Sequence, residues 1–413
     1  LALASDETLE QARQAVSGSE ADLMGARSGK LPQLSVGATW THNLKKPVMF
    51  VPPEMAELFG GATQIEFAQD YDLQGAVSLT WNLWTSGRLS AGQGAASELV
   101  AASRWQELLV TDLVRYNAEA ASLAALLAQE NARIAASARD FAAEALRVTQ
   151  ASFDQGKASK FDLLRAQVEL ANREAPLIQA RNELDLSLLT VKRVCGLDPA
   201  AAVALADPLA EVPEPEPLDD LLAEMHAGSP ELRAMRHTVA AGRQALSLAK
   251  AGRGPVFQLQ GNYAIQAQWD DRLLPEGGEA VKVAQVALAF SMPIFDGFAA
   301  KADIGRARAD LRTVEVELDR VTRDRELAVR QARLTYENAL AALDGRRDGV
   351  ALAEEAYRLA LVRLETGLAS PLERLDAELA LTEARGQLAA ALYSCNIARA
   401  AQELAVGSSQ TSA

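Results

Sequence analysis

The sequence predicts a mainly α-helical protein built from one structural unit used twice, with four short strands per chain. Three observations predict it. Phe141 to Gly196 and Leu352 to Gly407 match without a gap: Glu144 stands against Glu355, Arg147 against Arg358, Leu164 against Leu375 and Ala166 against Ala377. Two Pro-free stretches, about 88–154 and 299–365, carry apolar residues at three- and four-residue spacing, as in Leu311, Val314, Leu318 and Val321, with Arg312, Glu315, Asp319 and Arg320 between them. Four further segments alternate apolar and polar residues with period two.

Composition narrows the class. The chain has 413 residues, 23% charged and only 5% aromatic, and a formal net charge of −14. Alanine makes up roughly 80 positions, a bias suited to long packed helices because Ala loses no side-chain entropy and lets backbones approach. Two Cys cannot staple a fold of this size. No run of ~18 apolar residues exists, which excludes a helical membrane span. The acidic balance argues against a nucleic-acid partner. A membrane β-barrel stays open, since its strands are short and only alternately apolar.

In order, the first repeat (1–200) reads as a helix at about 6–28, strands at about 32–44 and 70–84, a long helix at about 88–154, a tip at 156–159 and a helix at 160–194. A Pro-rich linker, 201–217, follows; it is either a plain connection or a belt laid around the helices, and its Pro residues forbid helix. The second repeat (218–407) has a helix restarting at Ser229-Pro230, with Ser as cap and Pro in the first turn. Strands follow at about 255–268 and 281–293, then a long helix at about 299–365, a tip at 367–370, a helix at 371–405 and a disordered tail, 408–413. At ~1.5 Å per residue each long helix spans about 100 Å, too long for a small domain to bury. Such helices must pack along others of similar length.

The strands carry the most specific pattern. Leu34, Val36 and Trp40 share one face of the first, and Val77, Leu79, Trp81 and Leu83 one face of the second. Phe257, Leu259, Tyr263 and Ile265 share a face of the third, and Val286, Leu288, Phe290 and Met292 one of the fourth. The opposite faces are mostly uncharged polar residues. Either the sheet lies between lipid and a wet lumen, or it is half-buried in a water-soluble domain. Four strands cannot close a barrel, and open edges do not occur in lipid, so the first reading requires several chains per barrel. The tryptophans in and beside the strands are either interfacial belt residues or sheet packing.

At the tips, Gly156 and Gly367 stop long helices where positive φ is needed. Ser159 and Ser370 cap the returning helices, with Asp162 and Glu373 three residues on, as in a capping box.

This order of elements resembles the TolC family of outer-membrane efflux proteins over nearly the whole chain. The most specific segments are GKASKFDLLRAQ from Gly156 and GLASPLERLDAE from Gly367, which look like the family's two helix-turn-helix tips. WTSGRLSAG from Trp84 and MPIFDGFAAKADIGRA from Met292 are similar to the segments that lead into its long helices.

The resemblance implies a homotrimer in the outer membrane of a Gram-negative bacterium, with a 12-stranded β-barrel above a 12-helix periplasmic α-barrel. It implies a passive exit duct for a tripartite efflux or type I secretion system. The partners would be a periplasmic adaptor (membrane fusion) protein, an inner-membrane pump of RND or ABC type, and outer-membrane lipid. The apolar strand residues above would face that lipid. It also implies roles at the tips: Gly156, Lys157, Ala158, Ser159, Gly367, Leu368, Ala369 and Ser370 as adaptor-docking turns, and Asp162, Glu373 and Asp376 as rings of carboxylates that constrict the closed duct. For Asp162 and Glu373 a helix-capping role explains the residue equally well; no cap role explains Asp376. The segments 45–70 and 270–280 would be extracellular loops. Ala2-Leu3-Ala4 before Ser5 looks like a cleavage motif without its hydrophobic leader, so the chain reads as mature or trimmed, and without an N-terminal Cys for a lipid anchor.

The remaining chemistry is sparse. Cys195 and Cys395 are either small buried hydrophobes or a disulfide near shared helix ends. The three His have no metal spacing, and no nucleophile elbow, phosphate loop or ligand cluster points to an enzyme or a cofactor. The competing function is a soluble coiled-coil scaffold with a small sheet, which would bury one sheet face against helices.

Overall fold

A computed structural model describes the chain except residues 53, 55, 62, 67, 206–208, 210, 211, 271–279, 367, 370 and 408–413, and except the side chains of 56, 59, 371 and 372. The expected turn residues Gly367 and Ser370, most of the loop 270–280 and the tail therefore lie outside the described residues. The element order is α1 (Ala2–Ser5), α2 (Glu7–Ser28), β1 (Gln33–His42), β2 (Val48–Phe50), β3 (Gln64–Glu66), β4 (Tyr71–Trp84), α3 (Arg88–Asp154) and α4 (Lys160–Val194). Then come α5 (Leu218–Gly228), α6 (Pro230–Ala251), β5 (Val256–Trp269), β6 (Val281–Ser291), α7 (Ala299–Glu365) and α8 (Pro371–Val406). The fold is mainly helical with antiparallel sheet, and α3 and α7 have 67 residues each.

The two long helices start alike. Thr85 Oγ1 accepts the Leu89 N–H at 3.3 Å, and Asp296 Oδ2 accepts the Ala300 N–H at 2.8 Å. In both turns the next two residues are left-handed: Ser86 (φ 54°) and Gly87 (85°), then Gly297 (63°) and Phe298 (70°). Such a pair swings the chain from strand into helix. Gly takes it freely, whereas Ser86 and Phe298 hold it against Cβ crowding.

The contacts divide into two compact units, each drawing on both repeats. The first holds 1–17, 101–236 and 316–413. Its largest apolar cluster joins Leu221 and Met225 of α5, Leu232 of α6, Val321 and Val329 of α7, and Ala405 and Val406 of α8. The short helix α5 was not anticipated. The described part of 201–217 forms no helix or strand, and Tyr336 of α7, 1% exposed, donates its hydroxyl to the Pro213 carbonyl at 2.5 Å.

The second unit holds 18–100 and 237–315. Its helical segments meet at small residues: a Cβ on Gly242 would lie 3.1 Å from Leu311, and one on Gly94 3.1 Å from Gln244. His237 pairs with Glu98 at 2.7 Å across α6 and α3. The sheet runs β1-β4-β5-β6, all antiparallel, so β1 and β6 are its edges. A separate hairpin, β2 with β3, lies in the first inter-strand connection, the segment 45–70 that the sequence reads as an extracellular loop.

Candidate functional site

The first tip is a helix stop followed by a cap. Gly156 adopts φ 73°, letting the N–H groups of Lys157 and Ala158 turn back onto the Ser152 carbonyl at 2.8 and 3.3 Å. Ser159 then caps α4. Its Oγ accepts the Asp162 N–H at 3.2 Å, while the Asp162 carboxylate accepts the Ser159 N–H at 3.0 Å and its hydroxyl at 2.7 Å. These bonds, led by the hydroxyl, hold the Asp162 carboxyl below its usual range.

The second tip turns its backbone the same way, at the equivalent positions of the repeat. The Leu368 and Ala369 N–H groups return to the Arg363 carbonyl at 2.8 and 3.1 Å, and the Arg363 guanidinium donates to the Leu368 carbonyl at 3.3 Å. The Glu373 carboxylate lies 3.6 Å from the Arg363 guanidinium, and the capping box expected between Glu373 and Ser370 falls outside the described residues. Asp376 is exposed. Two residues on, Glu378 is 5% exposed with only a 3.9 Å approach to Arg374. Burial raises its carboxyl above the usual range, against the Arg374 and Arg173 charges. Sequence reasoning missed Glu378, because a polar residue on a helix face carries no sign of burial. A groove of about 590 Å³ lies at these ends, lined among others by Val148, Lys157, Asp162, Arg165, Arg374 and Leu375.

The sheet supplies the second part of the site. Cross-strand register places Leu34 opposite Leu79, Val36 opposite Val77, Val77 opposite Tyr263, Trp81 opposite Leu259 and Leu259 opposite Leu288. Leu34, Val36 and Val286 are 72, 81 and 79% exposed. Ile265 and Trp40 share this face, with Lys282 opposite Ile265. On the other face Ser78 donates to Asn262 at 3.3 Å, and three amides, of Gln74, Gln266 and Gln268, converge on the Asp72 carboxylate. β6 departs from the pattern with Val281 and Val283 on that polar side.

The strand bounds and register add detail at Leu83 and Met292. The register breaks between Asn82 and Trp84, so Leu83 is the extra residue of a bulge and Trp84 pairs with Phe257. Trp84, opposite Phe257, thus also stands on the apolar face. Met292 lies one residue past β6, though exposed.

Aromatic rings bound the apolar face at both ends. At one end Trp84, Phe257 and Phe290 stand 5.9 and 5.0 Å apart in sequence of contact. At the other, His42 stacks on Tyr71 at 4.4 Å, with Trp40 at 5.6 Å and Trp269 at 5.8 Å from Tyr71. On β5 the two groups are Phe257 and Trp269. That separation is about 40 Å of strand, or about 30 Å of height at a ~40° tilt. No residue of β1, β4, β5 or β6 is buried. The soluble-scaffold alternative required one covered face and is not favoured.

A family model described as outer membrane efflux protein matches residues 1–197 and 221–408. The chain belongs to the outer membrane efflux protein family. Among relatives, the alkaline protease secretion protein AprF of Pseudomonas aeruginosa is 25% identical over 353 residues, covering 80% of this chain and 69% of that one. Protein CyaE of Bordetella pertussis is 29% identical over 253 residues, covering 59% of this chain and 51% of that one. The match therefore spans about half the length of CyaE. The outer membrane protein VceC from Vibrio cholerae shares the fold, with a TM-score of 0.77 at 17% identity over 98% of this chain and 94% of that chain.

As an outer membrane efflux protein, the chain resides in the outer membrane of a Gram-negative cell with a periplasmic portion. The family is one of channel-forming proteins, not enzymes. Cys195 and Cys395 are free thiols, so the disulfide alternative is not formed, and Cys395 is 0% exposed. Among the described residues no helix is long and apolar enough to cross a membrane.

Proposed function

We propose that this efflux-family chain forms one third of a passive exit duct. Three copies join β6 of one to β1 of the next, closing a 12-stranded barrel whose apolar face meets outer-membrane lipid. Their long helices form a 12-helix periplasmic tunnel beneath it. An inner-membrane pump of RND or ABC type drives substrate into the duct through an adaptor that docks on the tip turns. The observation that carries this reading is the uncovered apolar sheet face between two aromatic groups at membrane spacing. Closed edges are the only state in which such a sheet satisfies its backbone in lipid.

At the tips, Asp376 and Glu373, with Asp162, are the proposed gate. Three copies of each carboxylate at a narrow end repel unless paired, which makes the gate sensitive to salt and pH. Asp162 serves as cap at the same time, so the freer Asp376 is the main gating group. The test is conductance of the full chain in planar bilayers: discrete trimer-sized channels are expected. A detergent-purified chain that stays monomeric and forms no pores overturns the duct reading.

A further inference from the structure

The four places where the sheet of the second unit meets its helices lie at one end of that sheet. The Trp81 indole donates to the Lys30 carbonyl at 3.0 Å, Asn82 donates to the Gly29 carbonyl at 3.2 Å, and the Ser86 hydroxyl donates to the Pro255 carbonyl at 2.6 Å. Val256 pairs with Ser291 on the far strand. The junctions 27–33, 84–89, 250–256 and 291–301 are thus tied together by hydrogen bonds and register.

Their charge runs against the rest of the molecule. In a chain of net charge −14 these segments hold Arg27, Lys30, Arg88, Lys250, Arg253 and Lys301 against a single carboxylate, Asp296. Asp296 is already engaged by the Ala300 N–H at 2.8 Å. All six cations are exposed, and none is ion-paired among the described residues. Lys30 donates to the neutral Gln93 at 2.7 Å. The other end of the sheet differs: there Lys46 is held by Asp70 at 3.2 Å and by Asp270 at 2.8 Å.

The same end carries bare apolar groups. Ile294, Phe295 and Phe298 are 97, 77 and 67% exposed, and the two rings meet edge-on at 5.7 Å. Phe298 keeps a side chain at φ 70°, where the first repeat places Gly87. A left-handed Phe with its ring in the open gains no packing from its own chain to offset the crowding. The patch continues the apolar face through Phe290, beside the Trp84–Phe257 group.

We propose that this collar is a docking surface for anionic phospholipid in the leaflet nearer the helices, the cations meeting headgroups and Phe295 and Phe298 entering the acyl boundary. Unpaired cations beside an aromatic, apolar rim complement a negatively charged lipid surface. The proposal rests on the membrane-spanning reading of the sheet.

The test uses the full chain and vesicles of phosphatidylcholine alone or with about a third phosphatidylglycerol. Incorporation into phosphatidylcholine reports the apolar band; the gain on adding phosphatidylglycerol reports the collar. Each cation near an anionic surface contributes about fivefold in partition, so a gain of about tenfold or more is expected, lost in high salt. The K30Q/R88Q/R253Q/K301Q variant should enter phosphatidylcholine as the parent does, with the gain cut to about threefold or less. Equal partition of the parent into both vesicles, or an undiminished gain in the variant, overturns the collar while leaving the band intact. A parent that enters neither vesicle overturns the membrane reading and the collar with it. Phe298→Gly should melt in detergent no lower than the parent, since crowding is relieved, yet partition less well; unchanged partition removes Phe298 from the docking surface.

Discussion

The Tyr336 hydroxyl and the Pro213 carbonyl, 2.5 Å apart, tie the Pro-rich segment to the middle of a 67-residue helix. Removing the hydroxyl leaves that carbonyl without its donor. Tyr336→Phe should cost about 1 kcal/mol in thermal unfolding and speed proteolytic cutting within 212–217. Unchanged cutting would show that the segment is held by other contacts.

The Ser159–Asp162 box at the first tip should behave as a cap. Ser159→Ala is expected to lower stability by about 1 kcal/mol. The Asp162 carboxyl is held below its usual range by Ser159, so its contribution is present above the ordinary carboxylate value near 4 and fades as pH falls through its lower folded value. Melting curves at pH 3 to 7 should show the parent losing more stability on acidification than Asp162→Asn.

Glu378 predicts the opposite slope. Its carboxyl is raised by burial, so its favourable contribution exists below the ordinary carboxylate range and is lost as pH rises through the raised value. Glu378→Gln keeps the shape and removes the charge. It should melt higher than the parent at pH 7 and converge with it near pH 4; a lower melting point at pH 7 would mean the Arg374 and Arg173 charges outweigh desolvation.

For the gate, Asp376→Ala combined with Glu373→Ala should raise single-channel conductance in bilayers. Equal conductance of parent and double variant removes these carboxylates from the constriction.

The bulge separates two neighbours that look alike in sequence. Trp84 stands 5.9 Å from Phe257 ring to ring, whereas Leu83 has no cross-strand partner. Trp84→Ala should cost at least about 1 kcal/mol in detergent melting and exceed Leu83→Ala; the reverse order would place Leu83 in the register.

The strands and long helices were legible because their signals are periodic and sustained: alternation over 33–41, and Pro-free amphipathic runs in α3 and α7. The bulge was not, since Leu83 extends the same alternation and only pairing with Phe257 exposes the slip. The β2–β3 hairpin escaped because three-residue strands among Pro and Gly hold no period. At the site, the Ser159–Asp162 cap is a local spacing and could be read directly. Arg363 facing Glu373 could not, because that contact crosses a turn and depends on where two helices point. The corner at Phe298 was hidden for a similar reason: its left-handed backbone is announced by Gly at the matching position in the first repeat, and by nothing in its own side chain.

The two edge strands of the sheet, β1 and β6, each paired on one side only, bear on heredity as well as on structure. If each copy completes its neighbours, a subunit with Pro at the middle of β1 spoils every ring it joins. In cells making both versions, intact rings then decline as the cube of the normal fraction, so one faulty gene copy would act dominantly over a sound one.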